Sequence, residues 1–205
     1  MKRDGPFVIY SMDSLIDQAL QSFSDHYIGL SPACADAFRE IAEPISVPKN
    51  TILVTAGQYS DSMFFLLSGT IREYYLKDGK DITDWFAREH EFTCAINSYF
   101  RNVSSEHYTE TLQPCEMVLM RRHSLIQLCE QFHEFETLSR MAVTRIMLRL
   151  QRRIVSIQFE TAAQRYANLL KVLPDITQRA SLGHIASFLG ITQETLSRIR
   201  SAHRG

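Results

Sequence analysis

The chain has 205 residues, 45% of them hydrophobic and 22% charged, with 22 Lys+Arg against 23 Asp+Glu and a net charge of -1. That length holds one large domain or two small ones, and the apolar fraction suffices for a packed core. No apolar run approaches the ~20 residues of a membrane span, and the apolar stretch at 7–10 is too short for a signal sequence. A cytoplasmic protein with no membrane partner is therefore expected.

The net charge conceals a division. Residues 1–138 carry 11 basic and 20 acidic side chains, a net of -9, whereas residues 139–205 carry 11 basic and 3 acidic ones, a net of +8. A basic segment of this kind meets either a polyanion or the acidic body of its own chain. The four cysteines, Cys34, Cys94, Cys115 and Cys129, include no C-x-x-C pair, so they read as reduced, buried small hydrophobes rather than a metal or cluster site.

Ser31-Pro32 supplies an N-cap followed by proline at the first helical position, which opens a short helix. From Ile45 to about Met120 the texture changes to short aliphatic and aromatic runs at 51–54, 63–67, 70–76, 82–86, 107–112 and 116–120. Ala56-Gly57, Ser68-Gly69 and Asp78-Gly79 supply turn signals between them. Strands at this spacing predict an antiparallel barrel or sandwich. Residues 80–182 contain no glycine, and from about Phe132 to Gln158 the pattern becomes helical. There Val143, Ile146, Leu150, Ile154 and Ile157 recur at steps of three and four, forming one apolar stripe on a helix roughly 40 Å long. A stripe on so long a helix is best used against its twofold mate, which predicts a homodimer.

Another helix is expected over 161–173, stopped by Pro174. In the segment after it, apolar Ile185, Leu189, Ile191, Leu196 and Ile199 surround a small Ala186 and a Gly190 placed where a sharp turn favours a left-handed backbone. This is a helix-turn-helix, whose second helix Thr192 can cap. Gln193 and Glu194 fall at the end of that helix that enters the major groove, with Ser197 and Arg198 one turn later. Arg198 can pair with guanine O6/N7, Glu194 with a cytosine amino group, and Gln193 with adenine or phosphate. Glu194 has a second reading, as an acid complementing the helix N-terminus. Thr192, Arg200, His203, Arg204 and Arg179 are candidates for phosphate contacts.

With these elements in this order, the chain resembles the CRP/FNR superfamily of bacterial transcription regulators over nearly all of residues 30–200. The residues that carry the likeness are Lys49-x-x-x-Leu53-x-x-x-Gly57, Phe64/Phe65, Leu67-Ser68-Gly69, and the recognition segment from Gly190 to Arg198. The likeness is to a short-tailed subgroup of Bacteroidetes-type bacteria, in which no C-terminal wing is expected. It implies an α+β architecture in three parts. Residues 1–130 would form N-terminal helices and a jelly-roll-like, cyclic-nucleotide-binding-like β-roll, 131–158 a dimerisation helix, and 159–205 a helix-turn-helix domain. It also implies that Glu194 and Arg198 read a TGA-type half-site, that double-stranded DNA with a palindromic operator is the partner, and that RNA polymerase is a further candidate partner.

Cyclic-nucleotide binders of this family use a Gly-Glu pair before a short helix and an Arg-Ser/Thr pair on the next strand. Those positions fall here on about Cys94-Ala95 and Ser105-Glu106, with no glycine, no ribose carboxylate and no arginine. No tight cAMP or cGMP binding is expected, because an unpaired buried phosphate costs several kcal/mol, and no cofactor is expected. A more apolar effector pocket would involve Cys94, Ala95, Tyr99, Ser105, Glu106 and His107. His107 is either a ligand contact or an ordinary strand histidine. The competing function is a small-molecule sensor whose helix-turn-helix binds a protein partner. An enzyme is disfavoured, since H-E-x-x-H, G-x-S-x-G and G-x-G-x-x-G are all absent.

Overall fold

The computed structural model describes residues 12–203. Two helices, α1 (Met12–His26) and α2 (Pro32–Ile41), precede strands β1 (Glu43–Val47), β2 (Ile52–Val54), β3 (Ser62–Ser68), β4 (Ile71–Lys77), β5 (Lys80–Ala87) and β6 (Phe92–Thr93). Helix α3 (Ile96–Arg101), β7 (Tyr108–Thr111) and β8 (Cys115–Arg121) follow. The chain then becomes helical through α4 (Arg122–Gln131), α5 (His133–Phe159), α6 (Ala162–Val172), α7 (Ile176–Arg179), α8 (Leu182–Leu189) and α9 (Gln193–His203). The fold is α+β, and each of the six sequence-predicted strands forms within two residues of its expected bounds. The structure adds β1, β6, α4 and α7.

The strands make two antiparallel sheets, one in the order β1-β8-β3-β6 and the other β2-β7-β4-β5. Strand β3, central in the first sheet, is largely buried on both faces, which explains why it reads Met-Phe-Phe-Leu-Leu instead of alternating. Phe64, Leu66 and Met117 point between the sheets and share a core with Val54, Ile71 and Ala87 of the second one. Phe65, Val118 and Met120 point the other way into a core made with α1, α2, α4 and α5. Phe23 of α1 sits at the centre of that outer core, its ring centroid 5.2 Å from Phe38, 4.7 Å from Phe65 and 5.7 Å from Phe92. Burial of each such ring contributes about 1.5–3 kcal/mol. Ser31 caps α2 as expected, its hydroxyl accepting from the Cys34 amide. The turn into β4 needs Gly69 twice over. Its φ is +94°, and a Cβ there would lie 2.5 Å from the Cys115 sulfur and 2.6 Å from the Pro114 carbonyl oxygen.

Helix α5 uses its length unevenly. Phe135, Leu138 and Ala142 in its first turns are buried in the outer core. Beyond them it runs beside the roll, where Arg149 donates to Glu91 and to the Phe86 carbonyl, and Thr161 begins α6 with a complete capping box shared with Gln164. The C-terminal helices then fold back on the second sheet. Phe86 and Leu112 of the roll join Tyr166, Leu169, Leu173, Ile176, Ile185, Leu189 and Leu196 in one core. Phe86 also meets Phe188 at 5.1 Å between ring centroids. Ser187 stitches α8 to β5, accepting from the Thr83 amide at 2.9 Å and donating to the Asp81 carbonyl at 3.0 Å.

Candidate functional site

Two regions gather chemistry, the outer face of α9 and a cavity between the roll and α5. The residues that pin α9 are apolar: Leu196 is fully buried, Ile191 and Ile199 pack beside it, and Ile185, Ala186 and Leu189 of α8 complete the crossing. The turn between these helices holds Gly190 at φ +68°, with nothing within 4 Å of where a Cβ would stand, so conformation rather than space calls for glycine. Thr192 caps α9, its hydroxyl accepting from the Thr195 amide at 3.2 Å.

This anchoring leaves Thr192, Gln193, Glu194, Ser197 and Arg198 exposed on one side and Arg200 half-exposed. Arg198 makes a single 3.3 Å contact to the Thr195 hydroxyl, so its guanidinium is largely uncommitted. The Glu194 carboxyl is held below the usual carboxylate range, first by its own backbone amide, then by the Thr192 hydroxyl and the charge of Arg198. The helix-terminus role of Glu194 is thus present in the free chain, and an ionised acceptor faces outward. Arg179 differs from its expectation as a phosphate contact. It is bound to Glu89 at 2.5 Å and to Asp175 at 2.6 Å, because it lies where the C-terminal helices meet the roll. Arg204 and the His203 side chain lie outside the described residues.

Along α5, Val143, Leu150, Ile154 and Ile157 are exposed and Ile146 is half-buried. The exposed apolar surface is wider than the expected stripe, since Met147, Leu148, Val155 and Phe159 add to it, Phe159 at 78% exposure.

The cavity has a volume of about 560 Å³. Of the expected pocket residues, Cys94 and Tyr99 line it, and Ala95 is buried at the N-cap of α3. Ser105 is buried but closes a local turn, its hydroxyl donating to the His107 carbonyl. Glu106 is exposed and takes a hydrogen bond from Asn97. It therefore does not line the cavity, contrary to its expected place among the pocket residues, because in the bend before β7 it faces solvent between buried Ser105 and His107.

Four carboxylates line the cavity, Glu130 and Glu136 from the helical side and Glu73 and Asp84 from the roll. Glu73 follows from the inward alternation of β4, two residues after buried Ile71. Asp84 arises from a bulge: Glu73 pairs with Trp85 and Tyr74 with Thr83, leaving Asp84 as the extra residue of β5. Glu73 is 3% exposed, accepts from the Thr93 hydroxyl at 2.5 Å, and has its pKa pushed up to about 7 by burial. Asp84 lies 3.1 Å from His107 Nε2. Burial lowers the His107 pKa, but the hydrogen bond and charge of Asp84, with Glu73 and Glu106, outweigh it, and the net shift is upward. His107 also packs its ring 3.9 Å from that of Tyr75, and it does not line the cavity. Glu73, Asp84 and Thr93 escaped the sequence reading. Only Glu73 left a signal, as an acid at an inward strand position.

Compared with known proteins, residues 44–132 match the family described as the cyclic nucleotide-binding domain. No curated protein matches the chain. Solved structures align over most of its length at low identity. A regulator of the CRP/FNR family from Eubacterium rectale, named in its description as putative, aligns at 16% identity with a TM-score of 0.68, covering 91% of this chain and 87% of that one. CLP, a c-di-GMP-responsive global regulator of Xanthomonas campestris, is 14% identical with a TM-score of 0.66, over 85% of this chain and 92% of that one. FixK2 of Bradyrhizobium japonicum is 18% identical with a TM-score of 0.65, over 79% and 84% respectively. The chain thus has the fold of the CRP/FNR regulators, with a domain of the cyclic nucleotide-binding type at residues 44–132 followed by a long helix and a group of shorter ones.

Proposed function

We propose that the protein is a dimeric, sequence-specific DNA-binding transcription regulator of the CRP/FNR type. The observation that carries this reading is the exposed face of α9, where Gln193, Glu194, Ser197 and Arg198 stand free on a helix held from behind by Leu196. Arg198 donates to guanine O6/N7 and Glu194 accepts from a cytosine amino group, while Thr192 and Arg200 contact phosphate. Two chains pair through Val143, Ile146, Leu150, Ile154 and Ile157, and their recognition helices then enter half-sites of a palindrome about 34 Å apart. An effector in the roll acts through α5, since Val143, Ile146 and Leu150 line the same cavity as Glu73 and Asp84. The neighbours described as transcription regulators support this reading at the level of fold.

Selection of genomic fragments with purified protein tests the proposal. The expected result is enrichment of a palindromic site whose binding weakens with salt and is lost when the site is scrambled. Steep salt dependence without preference for the palindrome would overturn it and favour the sensor whose helix-turn-helix binds a protein partner.

A further inference from the structure

We infer that the cavity between the roll and α5 binds an organic cation with an apolar body, of the arylalkylammonium class, and not a phosphate-bearing ligand. Its wall is aromatic, formed by Trp85, Phe92, Tyr99 and Phe100. Its charged lining comprises Glu73, Asp84, Glu130 and Glu136 against a single Arg122. That arginine is already engaged, donating to the Tyr99 carbonyl at 3.1 Å and to Asn102 Oδ1 at 3.4 Å. A cyclic phosphate would therefore meet carboxylates with no free cation.

The floor of the cavity is polar and under-satisfied. Glu73 is 3% exposed and receives one hydrogen bond, from Thr93. Directly opposite it in the β4–β7 register is Thr109, fully buried, whose hydroxyl has no partner among the described residues. Asp84 Oδ1 is likewise buried without a partner. Buried polar groups are ordinarily paired, so the unmet Asp84 Oδ1 on the cavity wall, with the unpaired Thr109 hydroxyl behind Glu73, points to a missing polar partner that can donate. An ammonium group supplies three donors and the opposing charge, and the aromatic wall suits both an aryl body and a cation.

The inference rests on the proposed function only in treating the ligand as an effector; binding itself does not involve DNA. The test titrates the full chain with 2-phenylethylamine, with 3-phenylpropionate as its carboxylate counterpart, and with cAMP. Binding is followed by calorimetry and by fluorescence of Trp85, the one tryptophan of the chain. Saturable binding of the amine alone is expected. Glu73→Gln should weaken it about 10- to 100-fold, the loss of a charged hydrogen bond, with native circular dichroism showing that the variant folds. Glu106→Gln should leave it unchanged, because Glu106 is exposed outside the cavity. The assignment is overturned if the carboxylate or cAMP binds as tightly as the amine, if the amine fails to bind at millimolar concentration, or if folded Glu73→Gln keeps the parent affinity. Operator binding is measured separately. Amine binding that leaves operator affinity unchanged supports the site and removes only the effector role.

Discussion

Glu73 carries its burial into the pH dependence of the whole protein. Its pKa is about 7 in the fold against a usual 4.5, so between those values the folded chain holds more protons than the unfolded one. The stabilising protonated form is fully present below pH 4.5 and is lost as pH rises through 7. Unfolding free energy should decline across that window by up to about 3 kcal/mol from this group. Glu73→Gln removes the term, so urea denaturation at pH 5 and pH 8 should show the variant gaining on the parent at the higher pH. Parallel pH profiles would refute the buried acid. Arg198 is the opposite kind of residue, exposed and nearly uncommitted. Arg198→Ala should spare stability and weaken specific DNA binding by about 1–3 kcal/mol, relaxing preference at one base position. An unchanged binding-site profile would remove its assigned role. The sequence made Arg198 visible because the helix-turn-helix imposes a fixed spacing of apolar residues around it. It could not show Asp84, whose inward aim depends on a bulge that no local pattern encodes.

At the scale of elements, legibility follows how locally each one is determined. The β3 run and the turn at Gly69 were readable because a strand buried on both faces and a left-handed turn each leave a distinct composition. Helix α4 was not, since its pattern Arg-His-Ser-Leu-Ile-Gln-Leu-Cys-Glu-Gln has only Leu125 and Leu128 buried and forms through contact with α2 and α5. Helix α5 was readable as a helix, yet its division into a buried start and an exposed remainder depends on tertiary packing. That division gives a clean experiment. Ile154 and Ile157 are each 57% exposed, so Ile154→Glu with Ile157→Glu should cost the single chain little. If α5 pairs with its mate, the same change should convert the protein to a monomer in light scattering and abolish cooperative binding to the palindrome. A parent protein that is already monomeric at micromolar concentration, or a dimer that survives both charges, would overturn the pairing.

For the whole molecule, the opposed charges of residues 1–138 and 139–205 serve two ends at once. Several basic side chains of the C-terminal part are spent inside the chain. Arg149 binds Glu91 at 2.6 Å and lies 4.1 Å from the Trp85 ring, Arg179 binds Glu89 and Asp175, and Arg153 sits 4.0 Å from the Phe188 ring. The acidic roll thus receives the basic helices, while Arg198 and Arg200 remain turned outward. Composition alone left both uses open, because it counts charges without showing which face they occupy. The Arg179–Glu89 pair is about three-quarters buried on each side and ties α7 to the start of the segment after β5. Removing one partner therefore leaves a poorly hydrated charge as well as a lost contact. Arg179→Ala should loosen the C-terminal helices from the roll more than it disturbs either part internally. Trp85 reports on the roll, and far-ultraviolet circular dichroism on the helices. In the parent these two probes should share one urea midpoint, because Phe86 and Leu112 put both parts in a common core. In Arg179→Ala the helical signal should begin to fall at lower urea than the Trp85 signal. Coincident transitions in the variant would mean that the shared apolar core, and not the ion pair, couples the two parts.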